Sequence, residues 1–231
     1  MDNRALCIVI PMKDPTQSKQ RLLSVLKHSE RQSLAMMLFE RTLAFLQQHF
    51  ANIDVLVVTP SANIATLSHS YAANSLIETT NQGLNHALEQ AAQWCIAQRY
   101  RSQLILPADI VNLDFQELNQ LINSPKQQPS VTICPASDEG TNALLTSPPN
   151  IIPFCYGQRS SKKHQQAAAA KGIRATIIEL QQLAFDLDTP SDYQRACQHS
   201  DLASQLMQNA HLAKVEHVKA ANSDNKLQRA F

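Results

Sequence analysis

One alternation narrows the possible folds more than any other feature of this chain. Six apolar runs, "ALCIVIP" (5–11), "IDVLVVT" (53–59), "NSLIE" (74–78), "SQLILPAD" (102–109), "SVTICPA" (130–136) and "ATIIEL" (175–180), are separated by stretches with helical periodicity. The runs are nearly continuous in Val, Ile and Leu rather than apolar at every second position. Such strands are buried on both faces, which predicts an α/β fold: a three-layer, mostly parallel sheet with helices on either side. Helices are expected near 30–49, 61–70, 82–99, 114–123, 160–171 and 190–208. The clearest is 30–49, where Leu34, Met37, Leu38 and Phe45 share one face and Ser29 with Gln32 predicts a capping box. At 231 residues one domain is expected, spanning 1–204. A proline-rich break in the alternation at about 136–159, containing "DEGTNALLTSPPNIIPFCYGQ", reads as an inserted substrate hairpin or lid. Residues 205–231 read as a helical to disordered tail.

In sheets of this kind ligands bind beyond the carboxyl ends of the strands, so the residues that follow each run matter most. After the first run, "IVIPMKDPTQSKQRL" places Lys13, Lys19 and Arg21 within ten residues and contains no glycine. The whole chain has four glycines, Gly83, Gly140, Gly157 and Gly172, against roughly 16 at average usage. A glycine-rich backbone cradle for phosphate is therefore absent from this loop, and side-chain cations are the alternative; their ordinary role is as solvated loop residues. Asp109 closes "LILPAD", where it either caps the next turn or faces a ligand. In "FDLDTP", Asp186 and Asp188 are two apart and share one side of an extended segment. Asp188 also fits the helix start "DTPSD", with Thr189 as N-cap, Pro190 at the first helical position and Asp192 in the first turn. Asp186 lies in an apolar run, where an unpaired carboxylate is costly. Three carboxylates without histidine or thiolate favour a hard, oxygen-bound ion, Mg²⁺ over zinc. A magnesium site facing three cations suits a nucleoside triphosphate.

Two glycines stand beside hydroxyl donors. "GTNALL" (140–145) holds Thr141, and "YGQRSSKKH" (156–164) holds Gly157 and Ser160 ahead of a helix whose N-terminus suits an anion, with Lys162 and Lys163 nearby. An ordinary capped helix fits the second segment equally well. Gly83, in "TTNQGLNHAL", opens another helix.

The remaining features exclude. A net charge of +1 argues against a nucleic-acid binder. No apolar run reaches membrane-spanning length and no signal-peptide pattern opens the chain. The five cysteines are scattered without C-x-x-C, as in a reduced, cytoplasmic protein.

Taken in order, "IPMKDPTQSKQRL", "GLNHAL", "LPAD", "GTNALL", "FCYGQRSSKKH" and "DLDTP" resemble the 2-phospho-L-lactate / phosphoenolpyruvate guanylyltransferase family of coenzyme F-420 biosynthesis, over about residues 5 to 196. The resemblance implies a nucleotide-diphospho-sugar transferase-like fold. It also implies transfer of GMP from GTP to a small phosphorylated acid (2-phospho-L-lactate, phosphoenolpyruvate or 3-phosphoglycerate) with release of diphosphate. By position it makes Asp109, Asp186 and Asp188 the Mg²⁺ ligands. It makes Lys13, Lys19 and Arg21 catalytic and, with Gly83 and Asn85, nucleotide-binding, and Thr141, Gly157 and Ser160 the phospho-acid contacts. Two departures bear on acceptor identity. Ile110-Val111 stands where the family tends to have Leu-Pro, and Ser161 stands where it often has an aromatic residue. The expected partners are small-molecule substrates, with no nucleic acid and no membrane, and a homodimer is the commonest assembly. The alternatives are another Mg-dependent nucleotidyltransferase of the same fold, separable by a nucleotide screen, and a non-catalytic nucleotide-binding protein.

Overall fold

A computed structural model describes residues 5–80, 82–124, 129–199 and 204. The elements in chain order are β1 (Leu6–Pro11), α1 (His28–His49), β2 (Asp54–Thr59), α2 (Ala62–Ser70), β3 (Asn74–Ile77), α3 (Leu84–Ala97), β4 (Ser102–Ile105), α4 (Phe115–Ile122), β5 (Ser130–Pro135), β6 (Thr141–Ser147), α5 (Ser160–Ala170), β7 (Thr176–Ile177) and α6 (Pro190–His199). The strands form one seven-stranded sheet in the order β3-β2-β1-β4-β6-β5-β7. Pairs β1–β2, β1–β4, β2–β3 and β5–β7 are parallel, and β6 runs antiparallel to both its neighbours. The expected α/β, mostly parallel, three-layer architecture is what the chain adopts.

Burial on both faces explains the continuous apolar runs. Cys7, Ile8, Val9 and Ile10 of β1 are all fully buried. Ile8 and Ile10 join Phe39 and Leu43 of α1 and Leu118 of α4 on one face of the sheet; Cys7 and Val9 join Leu88 of α3 and Ala168 of α5 on the other. Each such large side chain contributes about 1.5–3 kcal/mol on burial.

Three expectations differ from the structure. The region 136–159, read as an inserted substrate hairpin or lid, supplies β6 from its middle, and β6 pairs antiparallel with β5 within the sheet. Thr141–Ser147 is buried along its whole length between β4 and β5, because "TNALLTS" is apolar enough to be interior once flanked by Gly140 and Pro148. The start of α1 is closed by Glu30, whose carboxylate accepts the Lys27 backbone N–H at 2.7 Å, rather than by Ser29 and Gln32. The run 175–180 is strand only over Thr176–Ile177, with Ile178 N–H donating on to Ile133 O at 3.0 Å. At α6 the expected cap is present: Thr189 N–H and hydroxyl donate to Asp192 Oδ2 at 2.8 and 2.7 Å, and Asp192 N–H donates back to Thr189 Oγ1. The tail 205–231 lies outside the described residues. Among those described, no helix is long and apolar enough to cross a membrane.

Candidate active site

From β1 the chain passes to β2 and β3 on one side, and from β3 it returns to β4 on the other. The order therefore reverses between β1 and β4, and a crevice opens there beyond the strand ends. A cavity of about 400 Å³ lies at this point, lined among others by Lys13, Lys19, Arg21, Gly83, Asp109 and Asp188.

The basic loop is shaped by its own side chains. Asp14 accepts from Thr16 N–H and hydroxyl at 2.8 and 2.6 Å, and these bonds hold its carboxyl below the usual range. Lys19 adopts a left-handed conformation (φ 55°), which aims its side chain inward. The Lys19 ammonium, with its side chain 6% exposed, donates to Asp109 Oδ2 at 2.5 Å and to the carbonyl of Leu187. Arg21 donates to Asp188 Oδ2 at 2.8 Å across an open surface. Lys13 lines the cavity from an exposed position.

A short antiparallel bridge brings the acids together. Ile110 pairs with Asp186, Val111 N–H donates to Phe185 O, and Leu187 N–H donates to Asp109 O. Residues 109–111 are thereby laid against 185–187. The second segment is fixed from behind by Glu117 of α4, whose carboxylate accepts the N–H groups of Gln182 and Leu183 at 2.9–3.0 Å. Asp186 is the acid under most stress. Burial raises its pKa first and the Asp109 charge adds to the rise, while an Asn142 amide donating to Oδ1 at 3.2 Å and the Lys19 charge oppose it.

The expected three-carboxylate metal set does not stand assembled: among the described residues no three Asp, Glu, His or Cys side chains converge as a metal cage. Asp188 is engaged by Arg21 and Asp109 by Lys19. Asp109 and Asp186 are close enough for one charge to raise the pKa of the other. Such a pair fits magnesium, which usually takes one or two protein carboxylates and fills its shell with phosphate oxygens and water.

The residues carried over for the phospho-acid meet in a second cluster. Cys155 N–H donates to His164 Nε2 at 2.9 Å, so in neutral His164 the proton sits on Nδ1, which donates to Thr141 Oγ1 at 3.1 Å. Ser160 hydroxyl donates to the same oxygen at 2.9 Å. Thr141 thus accepts twice, and its own proton remains to be donated elsewhere. Burial, assisted by the Lys163 charge, pushes His164 down to about 4, so it is neutral. Gly157, at φ +124°, takes a backbone conformation that other residues rarely adopt. Lys162 points to Glu139 at 3.0 Å.

Gly83 lines the cavity at φ +89° immediately before α3. Asn85, carried over as nucleotide-binding, is committed differently. It accepts from Tyr156 N–H at 2.8 Å and donates to Tyr156 O at 3.4 Å, so it clamps the loop before α5 onto the start of α3. The two family departures are interior: Ile110 and Val111 are buried in separate core clusters, and Ser161 is buried with its N–H donating to Glu139 O.

Four residues that hold this site escaped the sequence reading: Arg31, Glu117, Asn142 and His164. Arg31 is 3% exposed on α1 and donates to Ser18 O at 3.4 Å, tying the basic loop to the helix. Its signal was a charge on the same apolar face as Leu34 and Leu38.

The family described as "Guanylyl transferase CofC like" matches residues 6–224. A 3-phospho-D-glycerate guanylyltransferase of Colwellia psychrerythraea is 48% identical over 185 residues, covering 80% of this chain and 88% of that protein. A phosphoenolpyruvate guanylyltransferase of Rubrobacter xylanophilus is 32% identical, covering 81% and 91%. A 2-phospho-L-lactate guanylyltransferase of Methanothermobacter thermautotrophicus is 27% identical, covering 84% and 85%. Among solved structures, a nucleotidyl transferase from Methanothermobacter superposes with a TM-score of 0.61 at 12% identity, covering 86% of this chain and 98% of that one. A 4-diphosphocytidyl-2C-methyl-D-erythritol synthase superposes at 0.56 and 14%, covering 84% and 97%.

Proposed function

This chain belongs to the guanylyl transferase CofC-like family, and from that membership we propose that it joins GMP from GTP to a small phosphorylated acid and releases diphosphate. The nucleotidyltransferase class follows from the family and its relatives. For the acceptor we favour 3-phospho-D-glycerate, since the relative at 48% identity bears that name, with phosphoenolpyruvate and 2-phospho-L-lactate as the acids to compare. A place in coenzyme F-420 biosynthesis goes with the same reading.

The observation that carries the proposal is the bridge between 109–111 and 185–187, which sets carboxylates and Lys19 against one another beside a cavity. In the proposed reaction an oxygen of the acceptor's phosphate attacks the α-phosphorus of GTP. A new P–O bond forms there, the bond from the α-phosphorus to the bridging oxygen breaks, and diphosphate departs with the electron pair. The attacking phosphate is already ionised at neutral pH, so no general base is needed. Lys13, Lys19 and Arg21 hold the triphosphate and offset the charge that develops on the leaving group. Asp109 and Asp186 would hold Mg²⁺, which neutralises phosphate oxygens and fixes the line of attack. Thr141, with its proton free to donate, and Ser160 would orient the acceptor, and positioning supplies much of the rate.

Asp186→Asn tests this assignment. Turnover that depends on Mg²⁺ should fall by roughly 10²-fold or more; a variant that works at near wild-type rate contradicts it.

A further inference from the structure

The cavity is lopsided in a way that the transfer chemistry does not use. Its cations all come from the loop after β1, and Asp109 and Asp188 face that loop. Across the β2–β3–α3 side the lining is Val58, Pro60, Gly83, Leu84, Ala87 and a single charged side chain, Glu78. The sheet order puts β3 three strands from β4, roughly 14 Å at about 4.8 Å per strand. A nucleotide whose phosphates lie against the basic loop, on the Lys19–Asp109 side of the cavity, therefore extends its base toward Glu78.

Glu78 directly follows β3, and its backbone N–H donates to Thr59 O at 3.0 Å, so the sheet fixes its main chain. Its side chain makes no hydrogen bond or ion pair with another described residue, and burial raises its pKa, opposed by the charge of His86 on α3. A half-buried carboxylate that takes no hydrogen bond from the described residues, with the His86 imidazole as its one charged neighbour, is an acceptor awaiting donors. We propose that Glu78 reads the base of the nucleotide, with its two carboxylate oxygens accepting from N1–H and the 2-amino group of guanine while Val58, Leu84 and Ala87 flank the ring. Guanine presents those two donors side by side, matching an acceptor-only carboxylate. Adenine presents a lone pair at N1 and is repelled; xanthine replaces the amino donor with a carbonyl oxygen and is repelled at that position. Hypoxanthine keeps only one of the two bonds.

The inference deepens the guanylyl-transfer reading and rests on it for the identity of the nucleotide. It is tested with the full chain by calorimetric binding of GTP, ITP, XTP and ATP, alongside diphosphate release. The wild type should bind GTP roughly 10-fold or more tighter than ITP, and XTP and ATP more weakly still. In Glu78→Gln the amide N–H can donate to the xanthine carbonyl, so GTP should weaken roughly 10- to 100-fold while XTP tightens past it. In Glu78→Ala, GTP and ITP should converge. A Glu78→Gln protein that keeps the wild-type ratio of GTP to XTP, or a folded Glu78→Ala protein that still separates GTP from ITP, overturns the inference. The two readings fail separately. Base preference that follows Glu78 without diphosphate release would defeat the transfer reading alone. Release by Glu78→Ala with undiminished guanine preference would defeat this one alone.

Discussion

Asp186 is held in two conflicting ways. Burial and the Asp109 charge disfavour its ionised form, yet the proposed chemistry needs that form to hold a cation. A carboxyl whose pKa is raised on folding contributes stability below its unfolded pKa and loses it as pH rises through the folded value. At neutral pH the empty site therefore costs stability. Asp186→Asn, which keeps an oxygen for the Asn142 amide, should raise Tm by a few degrees while removing activity. Added Mg²⁺ should raise the Tm of the wild type and not of the variant; thermal scans with and without Mg²⁺ check both, and a variant less stable than the wild type contradicts the account. His164 works with the opposite sign. Its folded pKa, about 4, lies below its ordinary 6.5, so the unfolded chain binds the extra proton between these values. Stability should be lost as pH falls from about 6.5 to 4, by about 3 kcal/mol. Urea midpoints across that range should slope steeply in the wild type and less in His164→Gln; equal slopes would show that His164 is not the buried neutral group described.

Among the elements, the clamp from α3 to the loop before α5 joins the proposed nucleotide side to the proposed acceptor side. Asn85 holds both backbone groups of Tyr156, which lies between Cys155, bonded to His164, and Gly157. Asn85→Ala should expose the Tyr156 amide to hydrogen exchange and raise KM for the acceptor more than KM for GTP. An unchanged exchange rate at Tyr156 would mean that the clamp carries no load. At this scale the sequence was legible where a run had one period from end to end, as in β1, β2 and α1. It was not legible at β6, where Gly140 and the Pro148–Pro149 pair bound seven residues that alternate poorly and are buried only because β4 and β5 flank them. The α1 cap was misread because Glu30 reaches back to Lys27, a reciprocal contact that propensity alone assigns to Ser29.

For the whole molecule, the fold positions chemistry by crossing points rather than by a contiguous motif. Lys19, Asp109 and Asp186 are separated by up to 167 residues and meet because β1 and β4 are adjacent and a two-segment bridge closes behind them. Their residue types and their places after apolar runs were readable in the sequence. The pairing of Lys19 with Asp109 and of Arg21 with Asp188 was not, since it depends on the left-handed turn at Lys19 and on α6 capping itself with Asp192. Of the supports of the site, Arg31, Glu117, Asn142 and His164, only Arg31 left a signal, a charge on the apolar face of α1; what each one holds is a backbone group outside its own element. The most direct test of the account as a whole is diphosphate release with Mg²⁺ and GTP, offering 3-phospho-D-glycerate, phosphoenolpyruvate and 2-phospho-L-lactate in turn and repeating with ATP. Release is expected with GTP and one of these acids, 3-phospho-D-glycerate foremost, and little with ATP. No release with any acid and either nucleotide would contradict it.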